Sequence, residues 1–250
     1  MLNIISFQNN SNTFANNSIT IKMIIQFKIA QPTCTYLKDP QETKLGFSII
    51  QHSILLIHEI GFERFTFKKL SESIGCTEAS VYRYFQSKQQ LLLFLFSWYW
   101  GWMNYRVQHE ITSSKTSFER LEKAISLLIE RSLDDQRTPF IDEAKLQEII
   151  EQEGVKSLLT KEVDSINQTG AFENYKQLVG YLAELIHQIN PNYPYPNMLI
   201  TTIIEGAHLQ HFFADHLPRL TNRSKNHESI GSFYLHLLTS SLQTNEKTGY

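Results

Sequence analysis

Cysteine is scarce in this chain of 250 residues: Cys34 and Cys76 are the two copies, and they stand in no Cys-x-x-Cys or zinc-finger spacing. That excludes a disulfide framework and a structural zinc site, and it fits a reducing compartment. Long apolar runs are missing too. The longest stretches, around Ile54–Ile57 and Leu91–Phe96, fall far short of the roughly 18 residues that span a bilayer, so no membrane role is expected. No Lys or Arg precedes Lys22, so the positive n-region of a secretory signal is lacking and a cytoplasmic location is expected. A net charge of −2 argues against a chain coated in positive charge. No Gly-rich phosphate loop follows a strand pattern, and neither Gly-x-Ser-x-Gly nor His-Glu-x-x-His occurs. Nucleotide-enzyme and hydrolase readings therefore find no support, and no catalytic activity, cofactor or bound metal is expected.

What is present is a helical pattern. With 42% hydrophobic residues the chain is large enough for one or two domains with a substantial core. Met1–Ser18 is rich in Asn and Ser and reads as disordered; Ile19–Ala30 alternates weakly, and Pro32 and Pro40 bracket an irregular approach to the first helix. Met23 is a second candidate start of translation. Residues 1–40 are thus expected to form a disordered or extended arm. From Gln41 onward apolar residues recur at helical spacing, first through Leu45, Ile49, Ile50, Ile54, Ile57 and Ile60, with Gly61 as the stop signal. Later blocks run over 118–133, 140–151, 172–189, 197–216 and 228–242. With no convincing strand alternation and no internal repeat, the fold class is all-α.

One segment carries a specific signal. Thr66 can cap a short helix over 67–73 with Leu70 and Ile74 facing inward, Gly75 permits a tight turn, and Thr77 can cap a second short helix whose Val81 and Phe85 point to the core. Two brief helices joined by a Gly-bearing turn make a helix-turn-helix. Its outer face carries Glu78, Ala79, Ser80, Tyr82, Arg83 and Tyr84, a mix of small and hydrogen-bonding side chains suited to a groove and its phosphates. Ser87 with Gln90 reads as a capping box for the next helix, which puts Lys88 and a helix N-terminus where a phosphate can sit. Charge agrees: Arg64–Lys88 holds five bases against two acids, whereas 111–250 holds 13 bases against 18 acids.

These residues resemble the N-terminal DNA-binding domain of the TetR/AcrR family of bacterial regulators, over about 44–92. The match rests on a first helix ending in Gly61, Thr66 opening the second, the Ile74-Gly75 turn, Thr77, Val81-Tyr82-Arg83-Tyr84-Phe85, and Ser87-Lys88 leading into a long fourth helix. The resemblance implies phosphate contacts from Tyr82, Tyr84 and Lys88. It implies base or backbone contacts near Thr66, Lys68, Thr77, Glu78, Ala79, Ser80 and Arg83. It implies a helix-turn-helix domain (41–92) joined by a long helix to a helical ligand-binding and dimerisation domain (93–250). The expected function is that of a homodimeric, ligand-responsive repressor of a double-stranded DNA operator, with an unknown small-molecule effector.

In the long helix Trp98, Trp102 and Tyr105 recur on one face, more often core than ligand box. Beside His208, His211 and Phe212 they would make a pocket for an apolar or aromatic inducer. A competing reading uses Glu184-x-x-His187 and Glu205-x-x-His208, which with carboxylates such as Glu130, Glu143 or Glu148 would build a di-iron enzyme or storage site. A helical interaction module without DNA binding is the other alternative. For the dimer, the resemblance points to the last two long helices, with apolar Leu199, Ile203, Ile204, Phe233, Leu237 and Leu238.

Overall fold

Hydroxyl caps punctuate the first half of the chain. In a computed structural model describing residues 28–131, 141–222 and 228–242, Thr43, Thr66, Thr77 and Ser87 each accept a backbone N–H three residues on, opening helices α1 (Lys44–Ile60), α2 (Phe67–Ile74), α3 (Glu78–Tyr82) and α4 (Lys88–Glu110). Gly75 ends α2 in the left-handed region, φ 75°, where a side chain would be strained, and the following Cys76 N–H reaches back to Ser71 O at 3.0 Å. The expected box at α4 is only half formed. Ser87 caps Gln90, but the Gln90 side chain accepts from the Gln86 N–H and donates to Cys34 O. A full capping box occurs instead at Thr116 and Glu119.

The remaining helices are α5 (Ser117–Ile129), α6 (Glu143–Leu158), α7 (Val163–Gln168), α8 (Glu173–Ile189), α9 (Pro196–His216) and α10 (Glu228–Leu242). Among the described residues there is no strand, as the periodicity predicts. The short α7, with no buried residue, has no hydrophobic stripe to betray it in the sequence. Helix α4 is the axis: α5, α6 and α8 pack on it, α9 lies on α8, and α10 closes against α9 and α5. The helix-turn-helix is not a separate bead. Helix α1 packs on α6, where His58 Nε2 lies 2.9 Å from Glu148 and Lys156 Nζ 3.0 Å from Glu63. One continuous apolar core runs from Ile49 to Leu242 through both halves, so the expected boundary at 92/93 falls inside α4.

The arm before α1 departs from expectation. Residues 1–27 lie outside the described residues, but 28–43 form an ordered strap with two single 3-10 turns, Thr33–Thr35 and Pro40–Glu42. The buried Gln41 carboxamide accepts from Ile29 N at 3.1 Å and donates to Ile29 O at 3.0 Å, mimicking a backbone pair. On one side the strap donates from Leu37 N to Tyr84 O; on the other, Asn174 of α8 donates to Ala30 O and Ser97 O. Close approach is possible because position 101 in α4 is glycine. A Cβ there would stand 2.4 Å from Ile29 Cγ2 and 2.9 Å from Asn174 Nδ2.

Charge is also buried in this core. Glu151 of α6 accepts from Gln147 and faces Arg131, which also pairs with Asp215. Burial foremost, with Glu148 and Asp215 adding repulsion, pushes its carboxyl up to about 7 against the pull of Arg131.

Two measurements check these packing arguments. Gln41→Ala leaves the buried Ile29 N–H and C=O unpaired and is expected to lower the unfolding free energy by about 1–3 kcal/mol, read as a lower urea midpoint. For Glu151, the folded protein retains a proton that the unfolded chain releases at its ordinary, lower pKa. Stability is therefore expected to fall as pH rises from about 4.5 to about 7, by at most roughly 3 kcal/mol. Glu151→Gln should flatten that dependence and be the more stable form near pH 8.

Candidate nucleic-acid interface

The outward face of α2, the turn and α3 collects most of the residues expected at DNA. Thr66, Lys68, Thr77, Glu78, Ala79, Tyr82 and Arg83 are exposed, together with Arg64. Beneath them Phe67, Leu70, Val81 and Phe85 are buried, which fixes α3 on the body of the protein. Tyr82 is 48% exposed and stands edge-on to Phe67, ring centroids 5.1 Å apart, so its position is held while its hydroxyl end stays outside. Ser80 is half-buried, with its hydroxyl 2.9 Å from Thr77 Oγ1. Cys76 sits half-buried as a free thiol behind the turn.

Two expected phosphate ligands face elsewhere. Tyr84 lies beyond the end of α3, where the chain turns inward: it is buried, its hydroxyl lies 2.7 Å from Thr43 Oγ1, and Lys38 sits over its ring. The Lys88 ammonium is enclosed by the loop after α1, donating to Phe62 O at 3.0 Å and Glu63 O at 3.2 Å and lying over the Phe62 ring. Both residues tie the motif together from behind. The resemblance implied phosphate contacts for both, with Tyr84 read on the outer face of α3 and Lys88 at the N-terminus of α4; α3 ends at Tyr82, and Lys88 turns toward the loop after α1.

The C-terminal half shows a different kind of surface, turned inward. Trp98 and Trp102 are fully buried and stacked, centroids 6.4 Å apart. His208 is buried beside Trp100, and burial, with His211 adding to it, lowers its pKa to about 4, so the ring is neutral. His211 is a structural residue, its Nε2 2.7 Å from Ile129 O. The proposed inducer pocket therefore loses members. Phe212 is 39% exposed on the far side of α9, against His216, and the half-buried Tyr105 stacks on His109. The residues that join Trp98, Trp102 and His208 instead are Tyr99, Trp100 and Tyr175, all buried. A stripe argument finds one face of α4; the run of consecutive aromatics was the signal that every face is covered.

The di-iron arrangement does not assemble. Glu184 and His187 are exposed on α8, while Glu205 accepts from the Tyr175 hydroxyl at 2.8 Å and His208 is buried. Glu148 is engaged with His58, and Glu143 is buried at the start of α6. Among the described residues no three His, Cys, Asp or Glu side chains converge as metal ligands, and no helix is long and apolar enough to cross a membrane. The dimer residues are also redistributed: Leu199, Ile203, Ile204 and Leu238 fill the intrachain core, and Phe233 is left outside.

Comparison with known proteins places this geometry. Residues 49–94 match the family model for bacterial regulatory proteins of the tetR family. Curated protein sequences give no match. Among solved structures, the chain is similar to AibR in complex with isovaleryl coenzyme A and operator DNA (18% identity, 76% of this chain and 95% of that one, TM-score 0.53). It is similar to the fatty acid degradation regulator FadR from Bacillus halodurans (15% identity, 80% and 96% covered, TM-score 0.55). The superantigen PfiT is alike to a similar degree (15% identity, 79% and 95% covered, TM-score 0.51). At such identities these structures speak for the fold over most of the chain, while the matched segment coincides with α1 to the start of α4. Residues 49–94 thus match the DNA-binding domain of the tetR family of bacterial regulatory proteins, and the chain as a whole shares the fold of these solved structures.

Proposed function

We propose that this regulator is a homodimeric cytoplasmic repressor whose hold on a double-stranded DNA operator is released by a small-molecule effector. The observation that carries the reading is the pairing of an exposed, locally basic α2–α3 face with an acid-rich regulatory half, both fixed to α4. That helix has 23 residues, so it carries displacement over about 34 Å. The similarity in architecture to AibR, solved with operator DNA and isovaleryl coenzyme A, supports an operator and an effector here. In this reading residues 41–92 read DNA and 93–250 sense and dimerise, with α4 shared. The DNA contacts are Thr66, Lys68, Thr77, Glu78, Ala79, Ser80, Tyr82 and Arg83. No catalytic role is proposed.

A single short reading helix contacts few base pairs, and two-fold pairing supplies a second half-site about one helical turn away. The surface for that pairing is an apolar stripe along α9. Met198, Leu209 and Phe212 are exposed at helical spacing, with Phe233 of α10, 55% exposed, also outside. Exposed large side chains in such a row mark an interface.

Mobility shifts across salt concentration separate the roles of the basic residues. Lys68→Ala is expected to weaken binding to all sequences and to reduce the salt slope by about one unit. Arg83→Ala is expected to cost about 1–3 kcal/mol and relax preference at one or two base pairs. Lys88→Ala should lower thermal stability and leave the salt slope unchanged, because its charge already serves protein carbonyls. For the dimer, Leu209→Glu combined with Phe233→Glu is expected to give folded monomers by light scattering with weakened operator binding; a surviving dimer would move the interface elsewhere.

A further inference from the structure

Buried polar atoms without a hydrogen-bond partner are concentrated at one place in the regulatory half, and three of them, on Tyr99, Trp100 and Trp102, are donors. Tyr99 Oη, Trp100 Nε1, Trp102 Nε1 and His208 Nε2 are all buried without a hydrogen-bond partner. The side chains are contiguous: Tyr99 lies 5.0 Å from Trp100 and 6.0 Å from Trp102 by ring centroids, and Trp100 lies 6.0 Å from His208 and 4.3 Å from Tyr175. A folded core normally satisfies such groups, because each one left unpaired forfeits the hydrogen bonds it had in water. Phenol and indole N–H groups offer protons, so the missing partner is an acceptor.

The surroundings select against charge on that partner. The Tyr175–Glu205 pair borders Trp100, and burial raises the Glu205 carboxyl above its ordinary value. Glu151 also acts on Tyr99, and burial already raises its own carboxyl. Arg106 lies over the Trp102 ring and is engaged. An added anion would meet these carboxyls in a low-dielectric interior, and an added cation would give up its water to indole N–H groups, which offer it protons and no lone pair.

We propose that the Tyr99–Trp100–Trp102–His208 cluster, bordered by Tyr175 and Glu205, is the effector site, and that it takes an uncharged, largely apolar molecule bearing a carbonyl or ether acceptor. This rests on the reading of the chain as ligand-responsive. The rings pack closely in the free protein, so entry parts them and displaces α4, which gives the ligand different affinities for two conformations.

The test uses the full-length protein, whose three tryptophans, Trp98, Trp100 and Trp102, all lie in α4 and make its fluorescence a local reporter. Methyl cyclohexanecarboxylate, cyclohexanecarboxylate and cyclohexylmethylamine share a skeleton and differ in charge. The neutral ester is expected to give a saturable change and to bind roughly tenfold or more tightly than either ion, and Tyr99→Phe should raise its Kd by about three- to tenfold. The same variant should melt higher than the wild type without ligand, since it removes an unpaired buried hydroxyl. Equal or tighter binding of an ion, no saturable binding of the ester, or a Tyr99→Phe variant with unchanged ester affinity would overturn the proposal. Tyr99-dependent ester binding that leaves operator affinity unchanged would keep the site and reject the ligand-responsive reading instead.

Discussion

Helix α4 cannot face water on any side. Within little more than two turns it carries Phe94, Phe96, Trp98, Tyr99, Trp100 and Trp102, all buried. A helix apolar around its whole circumference needs neighbours in every direction, and the chain supplies them: the strap, α5, α6 and α8 directly, then α9 over α8. The helix-turn-helix inherits its position from this requirement, since α4 begins at Lys88 inside the motif and α6 presses against α1. The helix-turn-helix and the C-terminal helices thus share one core, built around α4.

That arrangement explains which parts were legible in the sequence. Caps and turns are local, so Thr66, Gly75, Thr77 and Ser87 announced α2, α3 and α4 before any tertiary contact was known. Burial of one face gave α1, α5 and α8 their periodicity. The roles of Tyr84 and Lys88 were not local: each depends on a partner far along the chain, Thr43 for one and the Phe62 and Glu63 carbonyls for the other. The apolar residues of α9 were ambiguous for the same reason. Ile203 and Leu209 look alike in a helical pattern, and only the position of α8 and α10 decides which is core and which is surface.

The C-terminal half shows how polar atoms acquire meaning in an apolar setting. Tyr175 and Glu205 satisfy one another, and His211 is satisfied by Ile129 O. Against that background the unpartnered Tyr99 and Trp100 groups are informative, as the same atoms at a surface would bond to water and tell nothing. The two Glu-x-x-His spacings illustrate the converse. One pair is solvated and the other is divided between a tyrosine and an aromatic wall, so identical sequence intervals ended in unrelated environments.

The strap has a temporal consequence. Ala30 and Asn174 meet across a separation of 144 residues, so the early segment leaves the ribosome long before α8 exists to receive it. At synthesis rates of about 5–20 residues per second, that interval lasts roughly 7–30 s. Late in it, once synthesis has passed Glu110, the helix-turn-helix and α4 have been made while α8 has not, so Ile29, which ends buried against Gly101, still lacks the Asn174 side of its groove. The newborn chain therefore passes through a stage in which its helix-turn-helix segment has been made and the seal from Ala30 to Asn174 is still open.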